Sequence, residues 1–103
     1  MSTMQQQIKD TVSKNKVVIF MKGTPEAPQC GFSAQAINML KEAGAKSVVG
    51  VDVLADPSIR QGVKDFTQWP TLPQIFINGE FIGGCDIVTE MFERGELQEK
   101  LKG

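Results

Sequence analysis

Two cysteines and no histidine limit the chemistry open to this chain. Ser-His-Asp triads, Cys-His dyads, histidine zinc sites and imidazole general bases are excluded within one chain. Two thiols cannot alone close a four-cysteine zinc or iron-sulfur site. They are also too few for the framework of a disulfide-rich secreted domain, so a reducing intracellular compartment is expected. Thiol chemistry at Cys30 and Cys85 remains.

Cys30 follows the turn-rich segment Gly23-Thr24-Pro25-Glu26-Ala27-Pro28-Gln29 and opens a helical pattern. A sulfur placed there meets the unpaired amides and positive dipole end of the helix, which lower a thiol pKa and favour thiolate. Lys22, at the end of the preceding strand, adds positive charge. In Cys30-Gly31-Phe32-Ser33 a serine occupies the place of the resolving cysteine in a Cys-x-x-Cys pair. The ordinary two-cysteine shuttle therefore cannot run within this motif. The partner of Cys30 must be an external thiol, a metal centre or the distant Cys85. The bland alternative, an inert buried cysteine, suits a Pro-flanked strand-to-helix loop less well. Cys85 is either a small packed residue or a second redox thiol able to meet Cys30.

The elements that must position these residues alternate in type. Met4, Ile8 and Val12 recur at helical spacing, predicting a short amphipathic helix from Met4 to Ser13 that ends near Asn15. Lys16 to Lys22 holds the apolar run Val17–Met21, the pattern of a central strand buried on both faces. The helix opened by Cys30 carries Ala36, Met39, Leu40 and Ala43 on one face and stops at Gly44. Val49, Val51 and Val53 alternate as a second strand, and Asp56-Pro57 supplies an N-cap and a first-turn proline for a helix with Ile59, Val63 and Phe66 inside. Gln74–Ile77, Asn78-Gly79 and Glu80–Ile82 form an antiparallel hairpin signal. Gly83-Gly84-Cys85-Asp86 then leads into a last helix, with Asp86 as its cap, Val88, Met91 and Phe92 inside, and Gly95 as its stop or kink. The order is α-β-α-β-α-β-β-α, a thioredoxin-like α/β architecture whose four-stranded mixed sheet joins two parallel strands to an antiparallel hairpin. Ligands of open α/β sheets bind outside the carboxyl ends of the strands, where Cys30 falls.

Composition agrees with one domain over residues 1–103. The chain is 41% hydrophobic and 22% charged, with neither a repeat nor a linker. Its 11 basic and 12 acidic residues leave a net charge of -1, so no face is available to neutralise a row of phosphates and no nucleic-acid partner is expected. The longest apolar run is far short of the ~20 residues of a membrane span, and the N-terminus lacks a signal-peptide core. A soluble chain without an export signal is expected.

Lys22, Cys30-Gly31-Phe32-Ser33, Ile59-Arg60-Gln61-Gly62, Trp69-Pro70-Thr71-Leu72-Pro73-Gln74, Asn78-Gly79-Glu80-Phe81 and Gly83-Gly84-Cys85-Asp86 together closely resemble the CGFS-type monothiol glutaredoxins, in the family's order and spacing and over nearly the whole chain. The resemblance implies that glutathione lies along Cys30 with its thiol beside the sulfur. Lys22 and Arg60 are cations suited to its glycine carboxylate. Leu72, before a Pro73 that family members hold in cis, would pair its backbone with the tripeptide. The amides of Cys85 and Asp86 would receive the γ-glutamyl carboxylate, and the Asp86 side chain its ammonium group. Each group also has a plainer reading. Asp86 is then only an N-cap, Arg60 and Lys64 a solvated face, Trp69-Pro70 a buried rigid turn, and Gly83-Gly84 a place of close backbone approach.

Function follows the ligand count. A [2Fe-2S] cluster takes four thiolates; the resemblance implies that two protomers each give Cys30 and two glutathiones complete the set. The expected product is a cluster-bound homodimer and an apo monomer that passes a labile cluster to acceptor proteins. BolA-type proteins are partners of the family. The alternative is a glutathione-dependent oxidoreductase acting on glutathionylated proteins through Cys30, a reaction at which CGFS members are generally poor. The compartments open to either reading are the bacterial cytoplasm, the mitochondrial matrix and the plastid stroma.

Overall fold

The computed structural model describes residues 3–102. Helix α1 (Thr3–Lys14) leads into β1 (Val17–Met21), followed by α2 (Gly31–Glu42), β2 (Val49–Asp52), α3 (Pro57–Thr67), β3 (Gln74–Ile77), β4 (Glu80–Gly83), α4 (Cys85–Glu93) and α5 (Glu96–Lys102). The sheet runs β2-β1-β3-β4. β1 is parallel to β2 and antiparallel to β3, and β3 is antiparallel to β4. The expected thioredoxin-like fold is thus present.

Every residue of β1 is buried, because the strand is central and covered on both faces. Its side chains alternate between two cores. Val17, Ile19 and Met21 pack with Ile75 and Ile77 against Ala36, Ile37 and Leu40 of α2, Val88 of α4 and Leu97 of α5. Val18 and Phe20 join Phe76 on the other face, under Ile8 and Val12 of α1 and Val63 of α3. The Phe20 and Phe76 rings meet edge-on, with centroids 5.6 Å apart.

Local signals set the element ends. Asp56 caps α3 by accepting the Ser58 N–H at 2.9 Å, with Pro57 at the first helical position. Asn78 and Gly79 both take positive φ, 53° and 79°, as a two-residue hairpin of the twisted primed type requires. The closing helix departs from expectation. Gly95, at φ 78°, breaks it into two, and the short α5 buries Leu97 and Leu101 against the first core. The strand from Val49 also ends at Asp52, leaving Val53 buried just beyond it.

Candidate functional site

Past Met21 the chain turns into the loop that carries Lys22. Gly23 N–H donates to Asp52 Oδ1 at 3.0 Å, and the same oxygen accepts the Leu54 N–H at 2.9 Å. One carboxylate therefore ties the loop after β1 to the loop after β2. Gly23 has φ 91°, and a Cβ there would stand 2.6 Å from the Ala27 carbonyl oxygen, so the tight return needs glycine. Gln29 N–H closes the loop on the Lys22 carbonyl at 2.8 Å.

This return delivers Cys30 to the N-cap of α2 in extended conformation (φ -149°, ψ 135°), its side chain spent on no capping bond. The thiol is held below its ordinary pKa. The Ser33 backbone N–H is the largest cause; partial burial opposes it, while the Phe32 N–H, the Lys22 charge and the Ser33 hydroxyl assist. Ser33 is fully buried, and its Oγ accepts the Lys22 N–H at 3.3 Å. The serine that stands where a resolving cysteine would be thus supports the thiolate as well as removing the internal disulfide. Only the second role is visible in the sequence.

Helix α4 starts at Gly84 rather than at Asp86. Gly84 is the N-cap, with no side-chain capping bond, and Asp86 lies within the first turn, exposed. The expectation that Asp86 caps the helix is therefore corrected. Close approach gives the reason: a Cβ on Gly84 would stand 3.3 Å from the Pro73 carbonyl oxygen and 3.5 Å from Trp69 Nε1, so the chain turns where only glycine fits without adjustment. The expected close approach at this glycine pair is present. The uncapped helix leaves its first amides, those of Cys85 and Asp86 among them, without intrahelical acceptors. Cys85 itself is buried, and burial pushes its thiol up, with the charges of Asp86 and Cys30 acting in the same sense and the Thr89 hydroxyl opposing.

Between these two helix starts lies the loop ending in a cis Leu72–Pro73 bond, the geometry the family resemblance implies. Gln74, fully buried, organises it. Its Nε2 donates to the Trp69 and Thr71 carbonyls at 2.9 and 3.1 Å, and its Oε1 accepts from Thr67 Oγ1 at 2.8 Å. No local motif marks this carboxamide as structural, since its partners are fixed only by the fold. Trp69 is half-buried, edge-on to Phe81 at 5.7 Å, and Pro70 is exposed, so the Trp69-Pro70 turn expected to be buried is only partly so.

A groove of about 260 Å³ runs along this loop, lined among others by Phe32, Trp69, Leu72, Pro73, Cys85 and Asp86. It gathers four of the expected glutathione residues: Leu72, Pro73, Cys85 and Asp86. Cys30 adjoins it two residues before Phe32 and lies near enough to Cys85 to influence its titration, while Lys22 acts on Cys30. Arg60 is exposed on α3 and does not line this groove.

The glutaredoxin family model matches residues 17–82, from β1 into β4. The chain is 48% identical over 98 residues to the mitochondrial glutaredoxin-related protein 5 of Danio rerio, a match spanning 95% of this chain and 63% of that protein. It is 50% identical over 95 residues to a ycf64-like monothiol glutaredoxin of Synechocystis, across 92% of this chain and 88% of the relative. The solution structure of reduced poplar apo GrxS14 superposes with a TM-score of 0.85 at 44% identity, covering 96% of this chain and 90% of that one. A crystal structure of a buckwheat glutaredoxin–glutathione complex superposes at 0.84 with 26% identity, covering 96% and 87%. With its thiol at a helix start, its cis-proline loop and a family match over more than half its length, this chain belongs to the glutaredoxin family.

Proposed function

We propose that this chain is a CGFS-type monothiol glutaredoxin that binds glutathione beside Cys30 and carries a labile [2Fe-2S] cluster shared between two protomers, for delivery to acceptor proteins. One observation carries the reading: Cys30 sits at the start of α2 with its thiol pKa lowered by the Ser33 and Phe32 amides and the Lys22 charge, and the position of its usual internal partner is a buried serine that cannot close a disulfide.

The groove suits an extended peptide anion. Leu72 offers backbone pairing before the cis bond, the open amides of Cys85 and Asp86 suit the γ-glutamyl carboxylate, and the exposed Asp86 carboxylate suits the ammonium group. Lys22 and Arg60 are the cations suited to the glycine carboxylate, Arg60 from the exposed face of α3 outside the groove lining. Among the described residues, no group of three or more His, Cys, Asp or Glu side chains is arranged to hold a metal. With Cys30 given by each protomer and Cys85 buried, two protomers and two glutathione sulfurs give the four thiolates that the cluster cargo needs. Cluster loss then returns the dimer to monomers. A BolA-type protein is a further partner on this reading, and a reducing compartment, bacterial cytoplasm, mitochondrial matrix or plastid stroma, is its setting.

The thiolate also supports a second reading, protein deglutathionylation. Cys30 would attack the glutathione sulfur of a mixed disulfide, release the protein thiolate and keep glutathione; a second glutathione thiolate would then free Cys30 as glutathione disulfide forms. Resolution by Cys85 is disfavoured by its raised pKa. Anaerobic reconstitution with iron, sulfide and glutathione separates the two, followed by visible absorption, circular dichroism and size-exclusion mass. A coloured, glutathione-dependent dimer is expected. A colourless monomer with Cys30-dependent turnover of glutathionylated substrate would replace the carrier with the oxidoreductase.

A further inference from the structure

The glycine inside β2 has no conformational cause. Gly50 does not take a positive φ, and it interrupts the valines of an edge strand, where an interior glycine weakens the strand and marks the close approach of another segment. The approaching segment is the loop after β1. A Cβ on Gly50 would overlap Cγ and Cδ of Pro25, nearer than real Cβ atoms come, whereas Met21 Sδ at 3.4 Å would be an ordinary contact.

Alternation puts Gly50 and Asp52 on one face of β2 and Val49 and Val51 on the other, against the second core. The loop meets the first of these faces twice. Pro25 lies over Gly50, and Gly23 N–H donates to Asp52 Oδ1 at 3.0 Å. Between and beyond those two points the loop is tied to itself. Thr24 and Ala27 exchange backbone bonds at 3.0 and 3.3 Å, the Ala27 N–H also reaches Thr24 Oγ1 at 3.1 Å, Gly23 bridges to Pro28, and Gln29 N–H closes on the Lys22 carbonyl at 2.8 Å. A loop closed in this way shifts as a block, and its ends are Lys22 and the residue before Cys30. Its seat on β2 therefore sets where the thiol and the Lys22 charge stand against the start of α2.

We propose that Gly50 and Asp52 are positioning residues for Cys30: β2 is the seat of the block 22–29, and the bare backbone at Gly50 lets Pro25 lie low enough to set Cys30 and Lys22 at the start of α2. Neither residue lines the glutathione groove. The inference rests on Cys30 as the working thiol and holds for the cluster carrier and the oxidoreductase alike.

The test follows alkylation of Cys30 by iodoacetamide across pH in the full chain by peptide mass mapping, with denaturant unfolding of each variant alongside. The α2 amides and the Lys22 charge both lower this thiol, so displacing the block moves the alkylation midpoint up. Gly50→Ala is expected to raise the midpoint, and adding Pro25→Ala, which removes Cγ and Cδ, to return it toward wild type. Asp52→Ala is expected to lie above Asp52→Asn, which has the same charge but keeps an oxygen for the Gly23 and Leu54 N–H groups. A Gly50→Ala profile that coincides with wild type while stability falls would mark a merely structural glycine and overturn the assignment. So would a double variant no nearer wild type than Gly50→Ala, or coincident Asp52 profiles; if Gly50→Ala does not fold, the Asp52 pair decides alone. Neither cluster nor glutathione enters the assay, so these outcomes are separate from failure of the carrier reading, and wild-type alkylation in the ordinary thiol range would overturn the lowered thiol itself.

Discussion

The starts of α2 and α4 are built alike and behave oppositely. Each helix begins without a side-chain cap, and each carries a cysteine at its first positions, Cys30 at the N-cap of α2 and Cys85 one residue inside α4. Both sulfurs lie within the reach of a positive helix end. Cys30 is nonetheless lowered and Cys85 raised. The difference is what surrounds each sulfur. Cys30 has the Ser33 and Phe32 amides and the Lys22 charge with modest burial, whereas Cys85 is 7% exposed, beside the acidic Asp86, and burial dominates. A helix start lowers a thiol pKa only where its amides and nearby positive charge outweigh the cost of burial. At α4 the open amides are left for another anion.

Breaking that contrast at its strongest point means Cys30→Ser, which on this account abolishes cluster binding and cluster-linked dimerisation, while Cys85→Ser retains both; visible absorption after reconstitution reads the result. Alkylation by iodoacetamide comes next. A lowered pKa means more thiolate at pH 7, so the partly exposed Cys30 should react faster than the buried Cys85, with its rate levelling off below the ordinary thiol range, and peptide mass mapping across pH follows both sites. Loss of the carboxamide that holds the loop between the two helix starts, Gln74→Ala, should cost roughly 3 kcal/mol in denaturant unfolding, since three hydrogen bonds and a packed side chain go together. Asp86→Ala should weaken glutathione roughly tenfold in calorimetry yet shift stability by less than about 0.5 kcal/mol, because the residue does not cap α4. A loss nearer ~1 kcal/mol would restore the capping role. Smallest is Ser33→Ala: the alkylation midpoint of Cys30 should rise only modestly, since the stronger Ser33 contribution comes from a backbone amide that alanine keeps.

The sequence is legible where structure is local. The apolar run of β1, the Asp56-Pro57 cap and the Asn78-Gly79 turn are contained within a few residues each, and all three appear as expected. The start of α4 is not local: Asp86 has the right chemistry for a cap, but the helix begins two residues earlier at Gly84, where an added Cβ would crowd Pro73 and Trp69, distant in sequence. The split at Gly95 falls between, since glycine announced a break while burial of Leu97 and Leu101 decided that helix resumes after it. Of the site, the Cys30 position and the cis-proline loop were readable from motif and resemblance. Ser33 as a thiolate donor and Gln74 as the loop's organiser were not, because a buried polar side chain shows its partners only after the chain has folded.

The central claim is that the Cys30 thiolate, lacking an internal partner, shares a [2Fe-2S] cluster with glutathione and a second protomer. Native mass spectrometry of the anaerobically reconstituted protein weighs that assembly directly. The account predicts one species of two chains, two glutathiones and one [2Fe-2S] unit, which collapses to monomer when glutathione is exchanged away. A cluster carried by a single chain, or a cluster-bound dimer without glutathione, would contradict it.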